Sequence, residues 1–130
     1  MRSCPAAQQG RRTGTPLPGI VTRRNMATNR MEVLKNMLAQ NPQDAFARYG
    51  LAMEHVNRGE VESALVEFKT LLDHNPNYAA AYFHGGQALE KLGRIEDARD
   101  FYQKGIDVTA QSGDRHTQSE LQAALDMLPL

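Results

Sequence analysis

A chain of 130 residues, 41% hydrophobic and only 6% aromatic, has room for one domain with a modest core, which excludes two independently folded units. Its charges cancel overall, but Arg2, Arg11, Arg12, Arg23, Arg24 and Arg30 fall in the first thirty residues without an acid, leaving nine basic against fifteen acidic groups beyond them. A body of that sign repels phosphate backbones and argues against nucleic-acid binding by the folded part.

Taken in chain order, residues 1–27 read as a disordered basic tail, because their Gly, Pro, Thr and Gln content cannot bury enough surface to offset the entropy of ordering. The only cysteine, Cys4, lies there, so neither a disulfide nor a thiolate metal cage forms within one chain. There is no apolar run of membrane-spanning length and no secretory signal, and a reducing cytoplasm is the expected compartment. Met26 stands just before the first helical pattern, which leaves open whether residues 1–25 precede the native start.

The folded domain is expected over 28–130. Asn29 and Glu32 have the spacing of a capping box, and Met31, Leu34 and Leu38 follow on one face, predicting a cap helix over 29–40. Asn41-Pro42 and Asn75-Pro76 each open a helix, since proline is tolerated in the first turn, where its missing N–H has no partner. Gly59 and Gly93 mark hairpin turns, where a left-handed residue closes one helix. Helices are thereby predicted over 43–57, 60–74, 77–91 and 94–110. Ser112-Gly113-Asp114 then breaks the chain, and Leu121, Ala124, Leu125 and Leu128 form the apolar stripe of a final cap helix over 114–128.

An echo runs through these elements. Offset by 34 residues, Asn41-Pro42 falls on Asn75-Pro76, Ala45 on Ala79, Ala47 on Ala81, Gly59 on Gly93, Glu62 on Glu96, Ala64 on Ala98 and Asp73 on Asp107. Tyr49 over Phe83, Phe68 over Tyr102 and Leu72 over Ile106 fill the pattern conservatively. A helix-turn-helix unit of this period resembles the tetratricopeptide-repeat (TPR) family. The first repeat, 42–75 with its closing Pro76, supplies Leu51, Ala52, Ala64 and Phe68. The second, 76–110, supplies Tyr82, Gly86, Leu89, Ala98 and Tyr102. Arg48, Gly85 and Ala110 depart from the family pattern, while Ala52, Ala64, Gly86 and Ala98 keep the small residues needed where helices approach closely. The resemblance implies an all-α, right-handed solenoid of about six helices, the two cap helices covering its ends.

It also implies a concave groove lined by the first helix of each repeat, binding a peptide or helix of a partner protein. Helical spacing puts Phe46, Tyr49, Gly50 and Met53 on one face, with Ala80, Phe83, His84 and Gln87 as counterparts. Phe46, Tyr49, Met53, Phe83, His84 and Gln87 are the candidate partner-binding residues, although the same side chains equally suit an internal core. The Lys and Asn clamp by which some family members hold a terminal carboxylate is not visible, since Tyr49, Met53 and His84 occupy its places. Self-association into a homodimer, or service as a structural subunit of a larger assembly, is the alternative.

No enzymatic constellation emerges. His55, His74, His84 and His116 lack the i, i+4 spacing of helical zinc ligands. Gly85-Gly86-Gln87 resembles a release-factor loop but falls inside a helix, and Thr13-Gly14-Thr15-Pro16 lacks the spacing and Lys of a phosphate-binding loop. No catalytic residue, metal or cofactor is expected.

Overall fold

The computed structural model describes residues 23–129, with residues 23–28 described by their backbone alone, and comprises six helices and no strand among the described residues. These are α1 (Arg23–Gln40), α2 (Ala45–Asn57), α3 (Val61–His74), α4 (Ala79–Lys91), α5 (Ile95–Ser112) and α6 (Arg115–Asp126). Each packs on the next in the chain, and α4 also touches α6. The molecule is the helical-hairpin solenoid expected from the repeat.

The hairpin turns follow the glycines. Gly59 and Gly93 adopt φ of 78° and 77°, the left-handed conformation that a Cβ would strain. The Asn-Pro pairs act differently from the expectation. Pro42 and Pro76 lie outside the helices, each second in a turn closed by Asp44 N–H to the Asn41 carbonyl at 3.0 Å and Tyr78 N–H to the Asn75 carbonyl at 3.1 Å. Proline suits that place because its fixed φ matches the turn. Helix α2 is then capped by Asp44, whose side chain accepts from Ala47 N–H at 3.1 Å.

Two further boundaries differ. Helix α1 begins at Arg23, so Asn29 lies inside it and caps nothing; between Arg23 and Asn29 there is no Gly or Pro to stop the helix. The expected disordered tail therefore lies outside the described residues for 1–22, while 23–27 are helical. Helix α5 continues past residue 110 to Ser112, since Ala110 stands where the first repeat has Pro76. It ends at Gly113, φ 80°, whose N–H reaches the Thr109 carbonyl at 2.9 Å, and Asp114 caps α6 by accepting from Thr117 N–H.

Three apolar clusters follow one another along the stack. Met31, Leu34, Ala47 and Leu51 join α1 to α2. Ala52, Ala64, Phe68, Leu71 and Ala81 join the first hairpin to α4. Leu65, Tyr82, Leu89, Ala98, Tyr102, Ile106, Leu121 and Leu128 fill the second hairpin and seat α6. The close-approach positions are as the small residues require: Ala52, Ala64 and Ala98 are fully buried, and a Cβ on Gly86 would collide with the Tyr102 ring, 2.3 Å from its nearest carbon. The Tyr102 hydroxyl donates to the Glu90 carboxylate; burial and that carboxylate both hold it protonated far above the ordinary tyrosine range. At the front of the stack, Arg30 of α1 pairs with the buried Glu54 of α2 at 2.5 Å. A carboxylate removed from water needs such a partner.

Candidate functional site

Helix α2 presents Phe46, Tyr49 and Met53 at i, i+3 and i+7, and the structure gives them different environments. Phe46 is 71% exposed. Tyr49 is half-buried, its ring centroid 6.3 Å from Phe68 of α3, 5.4 Å from Tyr78 in the turn before α4, and 5.9 Å from His84 of α4. Met53 is half-buried against the cluster of Ala52 and Phe68. Gly50, the fourth residue of that predicted face, lies under α1, where its Cβ position is 3.0 Å from a Leu34 methyl. The cap helix thus covers one edge of the face, and the remainder stays open at Phe46.

On α4 the counterparts converge on His84. Its imidazole stacks near Phe68 at 6.4 Å and 16°, and meets the Phe83 ring edge-on at 5.2 Å and 83°. Phe83 in turn packs 6.4 Å from Tyr102 and against the second-hairpin core, so it serves the interior. Gln87, one turn beyond His84, is exposed. An aromatic strip results: exposed Phe46, then Tyr49 flanked by Tyr78, then His84 with Phe68 beneath it and Phe83 beside it. Tyr78 and Phe68 belong to this strip but were absent from the sequence-based set; Tyr78 precedes its helix, where helical spacing gives no signal.

The strip is uncharged near neutral pH. Burial pulls the His84 imidazole below the usual histidine range, against smaller opposing effects of Gln87 and of the Glu120 charge. Burial likewise raises the Tyr49 and Tyr78 hydroxyls, with Tyr78 adding to the shift at Tyr49. The charged groups of α2 are engaged elsewhere. Arg48 holds Glu67 of α3 at 2.7 Å and the Pro42 carbonyl at 3.1 Å. Glu54 holds Arg30, and His55 Nδ1 lies 2.8 Å from Glu60.

Other concavities have a different character. A small cavity of about 20 Å³ beside His84 is lined by Val56, Val61, His84, Gln87, Ala88 and Lys91. An open cleft of about 560 Å³ between α5 and α6 is lined by Ala110, Gly113, Arg115, Gln118, Ser119 and Gln122. Among the described residues no three His, Cys, Asp or Glu side chains group around a metal-sized site, and no described helix is long and apolar enough to cross a membrane.

Comparison with known proteins agrees with this geometry. Over 98 residues the chain is 28% identical to the TPR repeat-containing protein PA0015 of Pseudomonas aeruginosa, spanning 75% of this chain and 93% of that one. The solved tetratricopeptide repeat domain protein of Salinibacter ruber is 40% identical, with a TM-score of 0.62, 65% of this chain and 86% of the other being covered. PcrH, solved in complex with the chaperone binding region of PopD, has a TM-score of 0.73 at 16% identity, covering 80% and 79% of the two chains, a likeness of fold alone. The tetratricopeptide-repeat family model matches residues 49–114, just over half of the sequence. By its period, its hairpins and this match, the chain belongs to the tetratricopeptide-repeat family.

Proposed function

We propose that the chain is a non-catalytic binding module that captures a segment of another protein on the aromatic strip between α2 and α4. The observation that carries the reading is Phe46, a large ring 71% exposed at the open end of a row whose other rings are already held in place. A large bare ring beside rings that are already packed offers a partner apolar area to cover next to a surface ordered during folding. In PcrH a related fold holds the chaperone binding region of PopD, which supports a segment-binding role without naming the ligand here. We place this activity in the cytoplasm, on the composition of the chain.

The test is affinity capture from source lysate with the full chain, comparing the native protein with Phe46→Ala and Gln87→Ala. These positions are exposed and leave the core intact, whereas Tyr49 and Phe83 take part in packing and would confuse lost binding with lost folding. A partner retained by the native protein and lost by Phe46→Ala supports the site. Undiminished capture by the folded Phe46→Ala variant refutes it. Light scattering on serial dilution addresses the other reading, self-association: a dimer dispersed by Phe46→Ala would assign the strip to a second copy of the chain.

A further inference from the structure

Between α3 and α5, over Tyr82 of α4, lies a cleft of about 330 Å³ that shares no residue with the aromatic strip. It is lined by Lys69, Leu72, Asp73, Tyr82, Phe101 and Lys104. Tyr82 is buried and Leu72 and Phe101 are half-buried, so these three form an apolar base, while the exposed Lys69, Asp73 and Lys104 form the rim. The base is held before any ligand arrives. The Tyr82 hydroxyl donates to the Pro76 carbonyl at 2.7 Å, and the Phe101 ring meets Tyr82 edge-on at 6.1 Å and 69°. In the first repeat the places of these two rings are taken by Arg48 and Glu67, which satisfy one another at 2.7 Å. The second repeat has put rings there and, at the place of Thr70, the ammonium group of Lys104.

The rim carries two cations against one carboxylate. Lys69 and Asp73 have no ion pair among the described residues. Lys104 is 3.1 Å from Asp100, but both side chains are about 60% exposed, and a pair so open to water is too weak to withhold the ammonium from a better-placed anion. The Lys104 charge is felt inside the cleft: burial raises the Tyr82 hydroxyl above the ordinary tyrosine range, and Lys104 acts against that shift. Rings below and ammonium groups above suit a molecule that carries an apolar ring and an anionic end together. Its ring covers the base, and its charge lies where Lys69 and Lys104 can reach it. Ligand clefts span about 300–1,000 Å³, so this one is matched to a small molecule and not to a chain segment. We propose that the cleft between α3 and α5 is a second binding site, which takes a small aromatic carboxylate on Tyr82 and Phe101 with its carboxylate held by Lys69 and Lys104. This site is separate from the proposed capture of a protein segment and does not depend on it.

The experiment titrates the isotopically labelled full chain with 3-phenylpropionate and, separately, with its neutral amide, following backbone amide resonances. The carboxylate is expected to bind with a Kd on the order of 1 mM and to move resonances around residues 69–73, 82 and 101–104. The amide keeps the ring and lacks the charge, and should bind about fivefold more weakly or less. Lys69→Gln combined with Lys104→Gln should weaken the carboxylate to the level of the amide and leave the amide itself unchanged. Both positions are exposed, so the fold is retained. Asp73→Asn should tighten the carboxylate about twofold, and raising salt from about 20 to about 500 mM should loosen it. Phe46→Ala should leave the affinity unaltered, so that a failure here and a failure of partner capture are read separately. Equal binding of acid and amide, indifference of the acid to the double Lys variant, shifts centred elsewhere, or no binding up to about 20 mM would each overturn the site.

Discussion

Where α2 places Arg48, α4 places Tyr82, and where α3 places Glu67, α5 places Phe101. The first hairpin is thereby fastened by a half-buried ion pair at 2.7 Å, the second by an edge-on ring pair with centroids 6.1 Å apart. The exchange extends inward. Leu51, Ala52 and Leu71 of the first repeat become Gly85, Gly86 and Gly105 in the second, and the vacated space is taken by Phe101, by Tyr102, and by Leu121 of α6. One backbone plan thus tolerates two fillings, because total volume matters more at a helix crossing than which helix supplies it. The second filling is also what makes room for the closing helix, since a Cβ on Gly105 would lie 2.9 Å from a Leu121 methyl.

The contrast can be broken most forcefully at the buried rings. Phe68→Ala and Tyr102→Ala should each cost about 3–5 kcal/mol in urea unfolding. Tyr102 should lie at the upper end, because Gly86 facing it offers no side chain to relax into the cavity. Equal losses would show that the two fillings are equally plastic. Next, Gly85→Leu, which restores the family residue, should destabilise by about 1–3 kcal/mol through collision with Phe101. A Cβ there is already 2.6 Å from that ring. Combining it with Phe101→Ala should recover about 1–2 kcal/mol relative to simple addition, and strict additivity would refute the exchange of volume. A double-mutant cycle on Arg48 and Glu67 should give about 1 kcal/mol, falling with salt, whereas the corresponding Tyr82 and Phe101 cycle should be insensitive to salt.

The joint between the two hairpins sharpens the comparison through pH. His84 has a folded-state pKa below its unfolded value near 6.5, so the unfolded chain binds more protons as the solution is acidified. The stability that this residue contributes is complete above pH 6.5 and declines as pH falls through 6.5 toward the folded value. Thermal melts of the native protein and His84→Gln should converge in relative stability at low pH. An unchanged difference from pH 7.5 to pH 5 would remove His84 from the joint. The smallest effect belongs to Phe46→Ala, which should shift stability by no more than about 0.5 kcal/mol; a larger loss would make the ring part of the first hairpin's core.

The period, Gly59, Gly93 and the alanine crossings were legible because each answers to one local requirement: a left-handed turn or a close approach. Arg48 and Gly85 read singly as departures from the pattern, since their compensating partners, Glu67 and Phe101, stand 19 and 16 residues further along. The start of α1 was misplaced because a capping pattern at Asn29 competes with an upstream stretch that nothing interrupts. For the strip, helical spacing put the side chains on one face but did not give their depth. Phe46, Tyr49 and Met53 share one face, yet only packing by Tyr78, His84 and α1 decides which remains bare. Neighbours arriving from other elements set that depth, and intervals along one helix do not encode them.

The replacement of a proline by Ala110 has a consequence for how such an array grows. Between α3 and α4 four residues carry the chain into a new hairpin, while between α5 and α6 only Gly113 and Asp114 do so. The overrun of α5 and this abrupt reversal start α6 at Arg115, two residues beyond the place that the 34-residue spacing of Ala45 and Ala79 assigns to it. A 34-residue unit copied after that helix would therefore begin out of phase with the two repeats before it, and the residue that lets one helix run on is the one that shifts the register.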